Sequence, residues 1–310
     1  MIAYGSALRY VIMLSLFFLP ATEKVRIERW LRGREDFRKL GLADAVIVSF
    51  GKSGRTWLRV MISRLYQVKY GLSERHLIGF DNLHRKNRAI PKLFFTHDNY
   101  LKDYTKNVTS KEEYYNKRVV LMIRDPADVA VSQYNQWKYR MRPGKKKINA
   151  YPSTGAEVGL FEFVIGKEAG LPKIIDWMNG WAKDLDRIKE LLIVRYEEMR
   201  ADPEGSLARI VDFIGTPGNS DQIREAVNFA SVENMRKLEE KRVFWLSGGR
   251  MTAKDRSNPN SFKVRRAKVG GYLDDFTPEQ VAQIEELVAS RLAPVFGYGP
   301  QRGSERAVAG

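Results

Sequence analysis

The chain has 310 residues, of which 44% are hydrophobic, and this excludes a mainly disordered protein while allowing one large α/β domain or two small ones. Its 53 lysine and arginine residues, against 37 aspartate and glutamate residues, give a net charge of +16, which predicts an anionic partner such as a nucleotide, an acidic lipid surface or a nucleic acid. Because the chain has no cysteine and three histidines, disulfides and thiolate metal sites are excluded, and we expect no metal site.

Residues 1–42 form an apolar and basic extension. An apolar run at 10–19 ends before Pro20, and a stretch rich in lysine and arginine follows from Lys24 to Lys39. The run is shorter than the about 20 apolar residues that a membrane-spanning helix needs, and no small-x-small cleavage site of a signal peptide follows it. Two interpretations stay open, namely an interfacial anchor on an anionic membrane surface, or a helix docked on the core or on a second subunit.

The next stretch predicts a strand, a turn of small residues and a helix. Residues 45–50 are rich in β-branched side chains, as expected of a strand buried on both faces. Beyond the turn, apolar residues recur with helical spacing, at Trp57, Leu58, Met61, Ile62, Leu65 and Tyr66. A glycine-containing turn that opens a helix presents backbone N–H groups to an anion, most often phosphate, and Lys52 adds a cation. Val46 occupies the position of the first Walker A glycine, which argues against a nucleotide triphosphatase.

Two further predicted strands end at residues with functional side chains. The apolar run 93–96 is followed by His97, and the buried run 117–123 is followed by Arg124. Because the ligand crevice of a parallel α/β sheet lies at the carboxyl ends of its strands, we expect both side chains to face it. Asp125 and the proline behind it favour a helix that begins at once.

The remaining segments continue the alternation of strands and helices. Residues 139–157 and 242–263 are predicted as loops, 161–189 as a helix with Trp177 and Trp181 on one face, 191–197 as a strand, and the residues after Tyr298 as a loose tail. Helices are expected to begin at Asp202, Ser231 and Thr277. Four strands that alternate with helices predict a single α/β domain over 43–298, with a parallel β-sheet flanked by helices.

Three segments resemble the PAPS-dependent sulfotransferases. Residues 51–58, Gly-Lys-Ser-Gly-Arg-Thr-Trp-Leu, resemble the family's P-loop-like phosphosulfate loop, Pro-Lys-Ser-Gly-Thr-Thr-Trp-Leu, so that Arg55 replaces its first threonine. Residues 124–132, Arg-Asp-Pro-Ala-Asp-Val-Ala-Val-Ser, match the second family element almost without departure, and 264–277 resemble the third, with Ala267 for glycine and Tyr272 for tryptophan. The family's Lys-Thr-His segment falls on 95–97, where Phe95 stands in place of the lysine.

The resemblance implies transfer of a sulfuryl group from PAPS, a cytosolic metabolite, to a hydroxyl or amine, with release of adenosine 3′,5′-bisphosphate and without a metal. It implies that His97 is the general base and that Lys52 stabilises charge on the bridging oxygen. The residues that it assigns to PAPS are Lys52, Ser53, Gly54, Arg55, Thr56, Trp57, Arg124, Ser132, Tyr196, Arg265, Arg266 and Ala267. It leaves open what Arg55 does and which acceptor is used, a lipid or glycan being one class.

Two other functions are compatible with part of the sequence. A nucleotide-dependent phosphotransferase would also bind phosphate, but the Walker A glycine is absent. A basic nucleic-acid-binding protein would explain the charge, although the sequence has no helix-turn-helix, zinc-finger or RNA-binding signature. We therefore expect a cytoplasmic enzyme, either free or on the cytoplasmic membrane face, that binds PAPS and no nucleic acid.

Overall fold

One parallel sheet lies at the centre of the computed structural model, which describes residues 2–244, 251, 255, 257–264 and 267–298 and the side chains from residue 8 onwards. Its strands are β1 (Ala45–Ser49), β2 (Leu93–Thr96), β3 (Arg118–Ile123) and β4 (Glu190–Arg195). They lie in the spatial order β2-β1-β3-β4, and every neighbouring pair is parallel. The predicted α/β domain with a parallel sheet is confirmed.

Helices surround the sheet and complete the alternation that the sequence predicts. In the described part of the chain they are α1 (Ile2–Ser15), α2 (Ala21–Leu42), α3 (Arg55–Tyr70), α4 (Leu101–Thr105), α5 (Pro126–Asn135), α6 (Pro143–Ile148), α7 (Leu160–Ile165), α8 (Leu171–Ala182), α9 (Tyr196–Ala201), α10 (Pro203–Phe213), α11 (Ser220–Phe229), α12 (Val232–Glu240) and α13 (Pro278–Arg291). The predicted N-caps accept hydrogen bonds from backbone N–H groups of the first turns, at Asp125, Asp202, Ser231 and Thr277.

The strands direct alternate side chains into two hydrophobic cores. In β1, Ala45 and Ile47 enter the core covered by α3, α10 and α11. Val46 and Val48 enter the opposite core, which α5, α8 and α13 cover. Every residue of β1 is buried, so both faces of the sheet are covered. We therefore expect a ligand to bind at the carboxyl ends of the strands.

The second N-terminal helix is docked on the domain. Gly33 permits a close crossing of α2 and α4, because a Cβ atom there would overlap the carbonyl oxygen of Tyr100. Arg29 reaches across with an ion pair of 2.8 Å to Asp103, and Leu40 is buried in the core. For α2, packing on its own chain is therefore observed. No helix that the structure describes is long and apolar enough to cross a membrane.

Two of the secondary-structure predictions were wrong. The segment 139–157 is not a loop throughout, because a π-helical turn extends from Gln136 to Arg140 and α6 follows it. Burial of Trp137 and Ile148 stabilises this structure, which its many lysines, prolines and glycines concealed. The predicted helix over 161–189 is divided into α7 and α8, since Gly170 packs directly against the carbonyl groups at the end of α7. The predicted tail after Tyr298 and most of 242–256 lie outside the described residues.

A buried carboxylate joins α5 to the segment before α13. Asp128 is 3% exposed, and it forms an ion pair of 3.1 Å with Arg124, four residues earlier. Its two oxygens also accept hydrogen bonds from the backbone N–H groups of Gly270 and Tyr272, each at 3.0 Å. One side chain therefore holds together two segments that are about 140 positions apart in the sequence.

Removal of this carboxylate should destabilise the whole fold. We expect Asp128→Ala to lower the free energy of unfolding by about 3 kcal/mol, because it removes the carboxylate partner of a partly buried guanidinium and the acceptor of two backbone donors. Urea denaturation followed by circular dichroism measures the change. Asp186→Ala is the matched control at an exposed aspartate, with an expected effect within about 0.5 kcal/mol. Equal effects of the two substitutions would contradict this account of Asp128.

Candidate active site

A large cavity opens at the carboxyl edge of the sheet, with a volume of about 1370 Å³. Each strand delivers to it the residues that follow its last position, namely the 51–57 loop after β1, His97 after β2, Arg124 after β3 and Tyr196 after β4. The lining includes 17 lysine and arginine residues but only six aspartate and glutamate residues. The cavity is therefore strongly positive and suited to an anionic ligand.

The turn after β1 has a backbone that only some residues adopt easily. Lys52 and Gly54 have φ angles of 76° and 82°, and a Cβ atom on Gly54 would lie 2.6 Å from Cδ2 of Tyr196. The helix that follows, α3, has no side-chain cap, so the N–H groups of its first turn are available to an anion at the positive end of the helix dipole. Ser53 is buried and does not line the cavity, whereas the other predicted loop residues do.

The ring nitrogens of His97 have different partners, and these define its tautomer. Nδ1 lies 2.7 Å from the carbonyl oxygen of Ser49, so it carries the proton and donates. Nε2 lies 2.6 Å from a guanidinium nitrogen of Arg55, which can only donate, so Nε2 is the acceptor. Burial, and then the charges of Arg55, Lys263 and Lys145, lower the pKa of His97 well below its ordinary value. The imidazole is neutral at pH 7, as a proton acceptor must be.

The contacts of Arg55 show what this residue does, which the sequence leaves open. Its guanidinium donates to the carbonyl oxygen of Thr96 and to Nε2 of His97, so it reaches across the cavity floor from α3 to the end of β2. It replaces a threonine hydroxyl of the family pattern with a cation beside the imidazole.

A second group of residues lines the cavity around β3 and β4. The Arg124 guanidinium lies 4.3 Å from the centroid of the Tyr196 ring and donates to the carbonyl oxygens of Lys52, at 3.3 Å, and Lys268, at 3.2 Å. Its Nε atom is buried without a hydrogen-bond partner among the described residues. Trp57 packs edge-on against Tyr196, with ring centroids 6.1 Å apart, and donates to the carbonyl oxygen of Ala230. Ser132 lines the same space.

Three cations close to Lys52 were not among the site residues predicted from the sequence. Arg59, Arg140 and Lys263 line the cavity together with Lys52 and Arg55. Burial, followed by these four neighbouring charges, lowers the pKa of Lys263 well below its ordinary value. Like charges at such proximity repel one another, so an anion of two or more charges would relieve the repulsion.

One of these three could have been found from the sequence. Arg59 follows Arg55 by four positions, which places both on one face of α3, and its guanidinium lies 3.8 Å from the centroid of the Phe95 ring. A cation therefore stands next to the position where the family lysine is missing. Arg140 and Lys263 are joined through Glu239, which forms a 2.9 Å ion pair with Arg140 and accepts from the backbone N–H of Lys263. A contact between segments that are distant in the sequence cannot be predicted from a local sequence pattern.

The third predicted motif is described only in part. Arg265 and Arg266 lie outside the described residues. Ala267, which replaces the family glycine, lines the cavity and has a φ of 53°, in the left-handed region that favours glycine. The backbone of this loop thus keeps a glycine-like conformation despite the substitution.

Taken together, the residues fit an anion with phosphate-type oxygens held next to a neutral base. Three features favour such an anion: the Nε of Arg124 has no hydrogen-bond partner among the described residues, the start of α3 has no side-chain cap, and several cations lie close to Lys263. Among the described residues, no group of three or more histidine, aspartate or glutamate side chains is arranged to hold a metal ion.

The sequence of the chain is similar to those of known sulfotransferases. A family model described as "Sulfotransferase domain" matches residues 42–295. The chain is 24% identical to cytosolic sulfotransferase 3 of Arabidopsis thaliana, over 80% of this chain and 76% of that protein. It is also 24% identical to flavonol 3-sulfotransferase of Flaveria bidentis, over 86% of this chain and 88% of the relative.

Solved structures show the same fold. The mouse sulfotransferase SULT7A1 in complex with PAP superimposes with a TM-score of 0.56 at 24% identity, covering 83% of this chain and 89% of that one. Retinol dehydratase in a complex with retinol and PAP gives a TM-score of 0.54 at 17% identity, covering 83% and 84%. The different names of these two proteins illustrate that this fold does not by itself define the reaction or the acceptor.

The contact between Arg55 and His97 predicts how His97 titrates. Because the charge of Arg55 lowers the pKa of His97, Arg55→Thr should raise that pKa towards its ordinary value, so that the imidazole becomes protonated at a higher pH than in the unmodified protein. Titration of the Cε1–H signals by NMR measures this, since the chain has only three histidines and His97→Gln identifies the signal. Arg88→Thr, at an exposed arginine, serves as the control and should leave the pKa unchanged. An unaltered His97 titration in Arg55→Thr would show that the contact is not electrostatically important.

Proposed function

The chain belongs to the sulfotransferase domain family, and from that premise we propose that it transfers a sulfuryl group from PAPS to an acceptor hydroxyl, releasing adenosine 3′,5′-bisphosphate. The observation that supports this most directly is the neutral His97, whose Nε2 faces a cluster of cations at the carboxyl edge of the sheet. That geometry provides a proton acceptor and an anion site within one cavity.

The donor is proposed to lie along the β1, β3 and β4 side of the cavity. Lys52 and the N–H groups at the start of α3 bind the 5′-phosphosulfate, and Arg124 with Ser132 binds the 3′-phosphate. Trp57 and Tyr196 contact the adenine, for which their rings offer apolar surface. Arg59, Arg140 and Lys263 extend the phosphosulfate site, because their charges meet there with that of Lys52.

In the proposed reaction, the donor-binding residues and His97 have different roles. The bond between sulfur and the bridging oxygen breaks, a new bond forms between sulfur and the acceptor oxygen, and the acceptor proton goes to Nε2 of His97. The bridging oxygen keeps the electron pair and becomes a phosphate oxygen of the product, where Lys52 stabilises its growing negative charge. Proton transfer first requires Arg55 to leave Nε2, and the arriving sulfuryl oxygens offer its guanidinium an anionic partner.

Donor selectivity is the test of this proposal. PAPS should bind much more tightly than adenosine 5′-phosphosulfate, since each lost bond between an arginine and the 3′-phosphate costs about 1.5–3 kcal/mol. Calorimetry with both nucleotides measures the difference. Equal affinity for the two nucleotides would rule out the assignment of the 3′-phosphate site.

His97→Ala should keep PAPS affinity while turnover falls by about 10²–10⁴-fold, because the histidine acts on the acceptor.

We further propose that the N-terminal helix attaches the protein to the cytoplasmic face of an anionic membrane. Large apolar side chains of α1 and of the turn after it are exposed, including Leu14 at 74%, Phe17 at 80% and Phe18 at 68%. Such a patch on one short helix suits an interface with lipid better than it suits water.

The basic residues of α2 contribute less to this attachment than the sequence suggests. Most of them form ion pairs within the chain, namely Arg26 with Glu23, Arg29 with Asp103, Arg32 with Glu28, and both Arg38 and Lys39 with Glu35. Attraction to anionic lipid is therefore expected to come mainly from the net charge of the whole chain, and the apolar contact to provide most of the binding.

Cosedimentation with vesicles that contain phosphatidylserine tests the attachment. The full chain should pellet at low salt, with weaker but persistent binding at high salt, because salt screens charge and not apolar contact. A variant with Phe17→Ser and Phe18→Ser should stay in the supernatant and still bind PAPS. Leu42→Ser, at an apolar residue that is 50% exposed at the end of α2, is the control and should pellet normally. If the unmodified chain remains in solution, the membrane proposal fails.

A further inference from the structure

We propose that the acceptor carries an oxyanion, a carboxylate, phosphate or sulfate, which binds between Lys145 and Lys173 while the acceptor hydroxyl faces His97. The inference rests on the proposed function and names the acceptor class for the same cavity. Its evidence lies in the part of the cavity that is lined by residues of α2, α4, α6 and α8.

The two lysines belong to one hydrogen-bonded cluster. Nζ of Lys145 donates to the hydroxyl of Tyr100 at 3.3 Å, and that hydroxyl donates to Oδ1 of Asn149 at 3.0 Å. Nζ of Lys173 donates to the carbonyl oxygen of the same asparagine at 2.8 Å and to that of Glu168 at 2.9 Å. Two ammonium groups from different helices therefore meet at Tyr100 and Asn149.

This cluster is connected to the base. Trp177 donates from its indole nitrogen to the carbonyl oxygen of His97 at 3.0 Å, and Lys173 precedes Trp177 by four positions on α8, hence on the same helix face. Tyr100 follows His97 by three residues at the start of α4. Lys145 lies near enough for its charge to act on the imidazole. An acceptor held by the lysines would thus have its hydroxyl within reach of His97.

The charges of the two lysines have no acidic partner. Their neighbours Arg29 and Arg32 form ion pairs with Asp103 and Glu28, whereas neither lysine has a carboxylate oxygen within ion-pair distance among the described residues. An ammonium group has three donors, and Lys145 uses one and Lys173 two in the bonds given above. Each therefore has a donor left for a ligand, and together they favour an anion.

The surroundings of Lys173 and Lys145 also affect how the two lysines bind an anion. Lys173 lies in the first turn of α8, which has no side-chain cap, so the positive end of the helix dipole adds to its charge. Burial, and next the charge of Arg29, lowers the pKa of Lys173 to about 8. Lys145 is more exposed, and its partial burial, followed by the charge of Arg32, also lowers its pKa to about 8.

Other charged groups face the two lysines, and their balance is positive. Those acting on Lys145 are Arg9 of α1 and Glu28, Arg32 and Asp36 of α2, and those acting on Lys173 are Arg29, Lys102 and Glu168. Burial raises the pKa of Asp36 to about 6, so its carboxylate is still largely ionised at pH 7 and offsets part of this positive charge. With the two lysines included, the charges named here still sum to a positive value at pH 7, which favours an anionic ligand.

Aromatic rings complete the subsite. Nζ of Lys173 lies 4.4 Å from the centroid of the Tyr151 ring, and that of Lys145 lies 5.5 Å from the centroid of the Tyr100 ring. Trp177 and Phe50 form a further wall, with ring centroids 5.8 Å apart. These surfaces suit an apolar or aromatic body between the hydroxyl and the oxyanion.

Calorimetry on the protein saturated with adenosine 3′,5′-bisphosphate tests the subsite, because the nucleotide occupies the donor cations. The probes are 4-hydroxyphenylacetate and its neutral amide, 4-hydroxyphenylacetamide, which share the phenol and differ in the charge. The carboxylate should bind about tenfold more tightly or better, as expected for charge-assisted hydrogen bonds. Raising the pH from 7 to 9.5 should weaken carboxylate binding as the lysines lose their charge, with no comparable change for the amide.

Matched lysine substitutions identify the residues. Lys145→Met and Lys173→Met should each weaken carboxylate binding about fivefold or more and leave amide binding unchanged. Lys183→Met, at an exposed lysine directly after α8, should alter neither, and thermal unfolding checks that all variants are folded. Equal affinities for the two phenols, no carboxylate binding at millimolar concentration, or insensitivity to both lysine substitutions would overturn the inference. Tight nucleotide binding with any of these results would leave the proposed function intact, whereas loss of nucleotide binding in the unmodified chain would refute that function first.

Discussion

The architecture of the cavity depends on the buried carboxylate of Asp128. This side chain pairs with Arg124 and accepts from the backbone of Gly270 and Tyr272, so the end of β3 and the segment before α13 are fixed to each other. Arg124 in turn donates to the carbonyl oxygen of Lys52, which links the same carboxylate to the turn after β1. Three segments that are distant in sequence therefore share one electrostatic anchor, and the position of Arg124, the proposed ligand of the 3′-phosphate, follows from it.

The cations of the cavity have two effects that act together. They attract a multiply charged anion, and they add to the effect of burial in lowering the pKa of His97, which keeps the imidazole neutral. When a dianion such as phosphosulfate binds, it offsets part of this field, and the pKa of the imidazole rises. His97 then becomes a stronger proton acceptor, as its proposed role as general base requires. Arg55 lies at the centre of this coupling, because it contacts Nε2 directly and is close to the anion site.

The sequence predicts those parts of the molecule that depend on neighbouring residues. The buried strand β1, the turn at 51–54 and the capped start of α5 follow from local pattern, and the strand ends place His97 and Arg124 at the cavity. The ion pairs within α2, at spacings of three and four, were also predictable from the sequence, and they support the docked-helix interpretation of this segment. The ion pair between Arg140 and Glu239, which holds Lys263 near the cavity, was not readable, because it joins segments about 100 positions apart. Helix α6 was missed for a similar reason, since tertiary burial and not propensity stabilises it.

Helix α2 and the proposed acceptor side of the cavity form one structural unit. Arg29 of α2 pairs with Asp103 and also donates to the carbonyl oxygens of Asn99 and Ile148, at 3.0 and 2.8 Å. Through Ile148 it holds the end of α6, the helix that carries Lys145. Because this arginine satisfies three acceptors from two segments, the wall of the proposed acceptor site depends on α2 for its position. A protein attached to a membrane through α1 would therefore present the opening lined by α2 and α6 close to the surface from which an amphipathic anionic acceptor could enter.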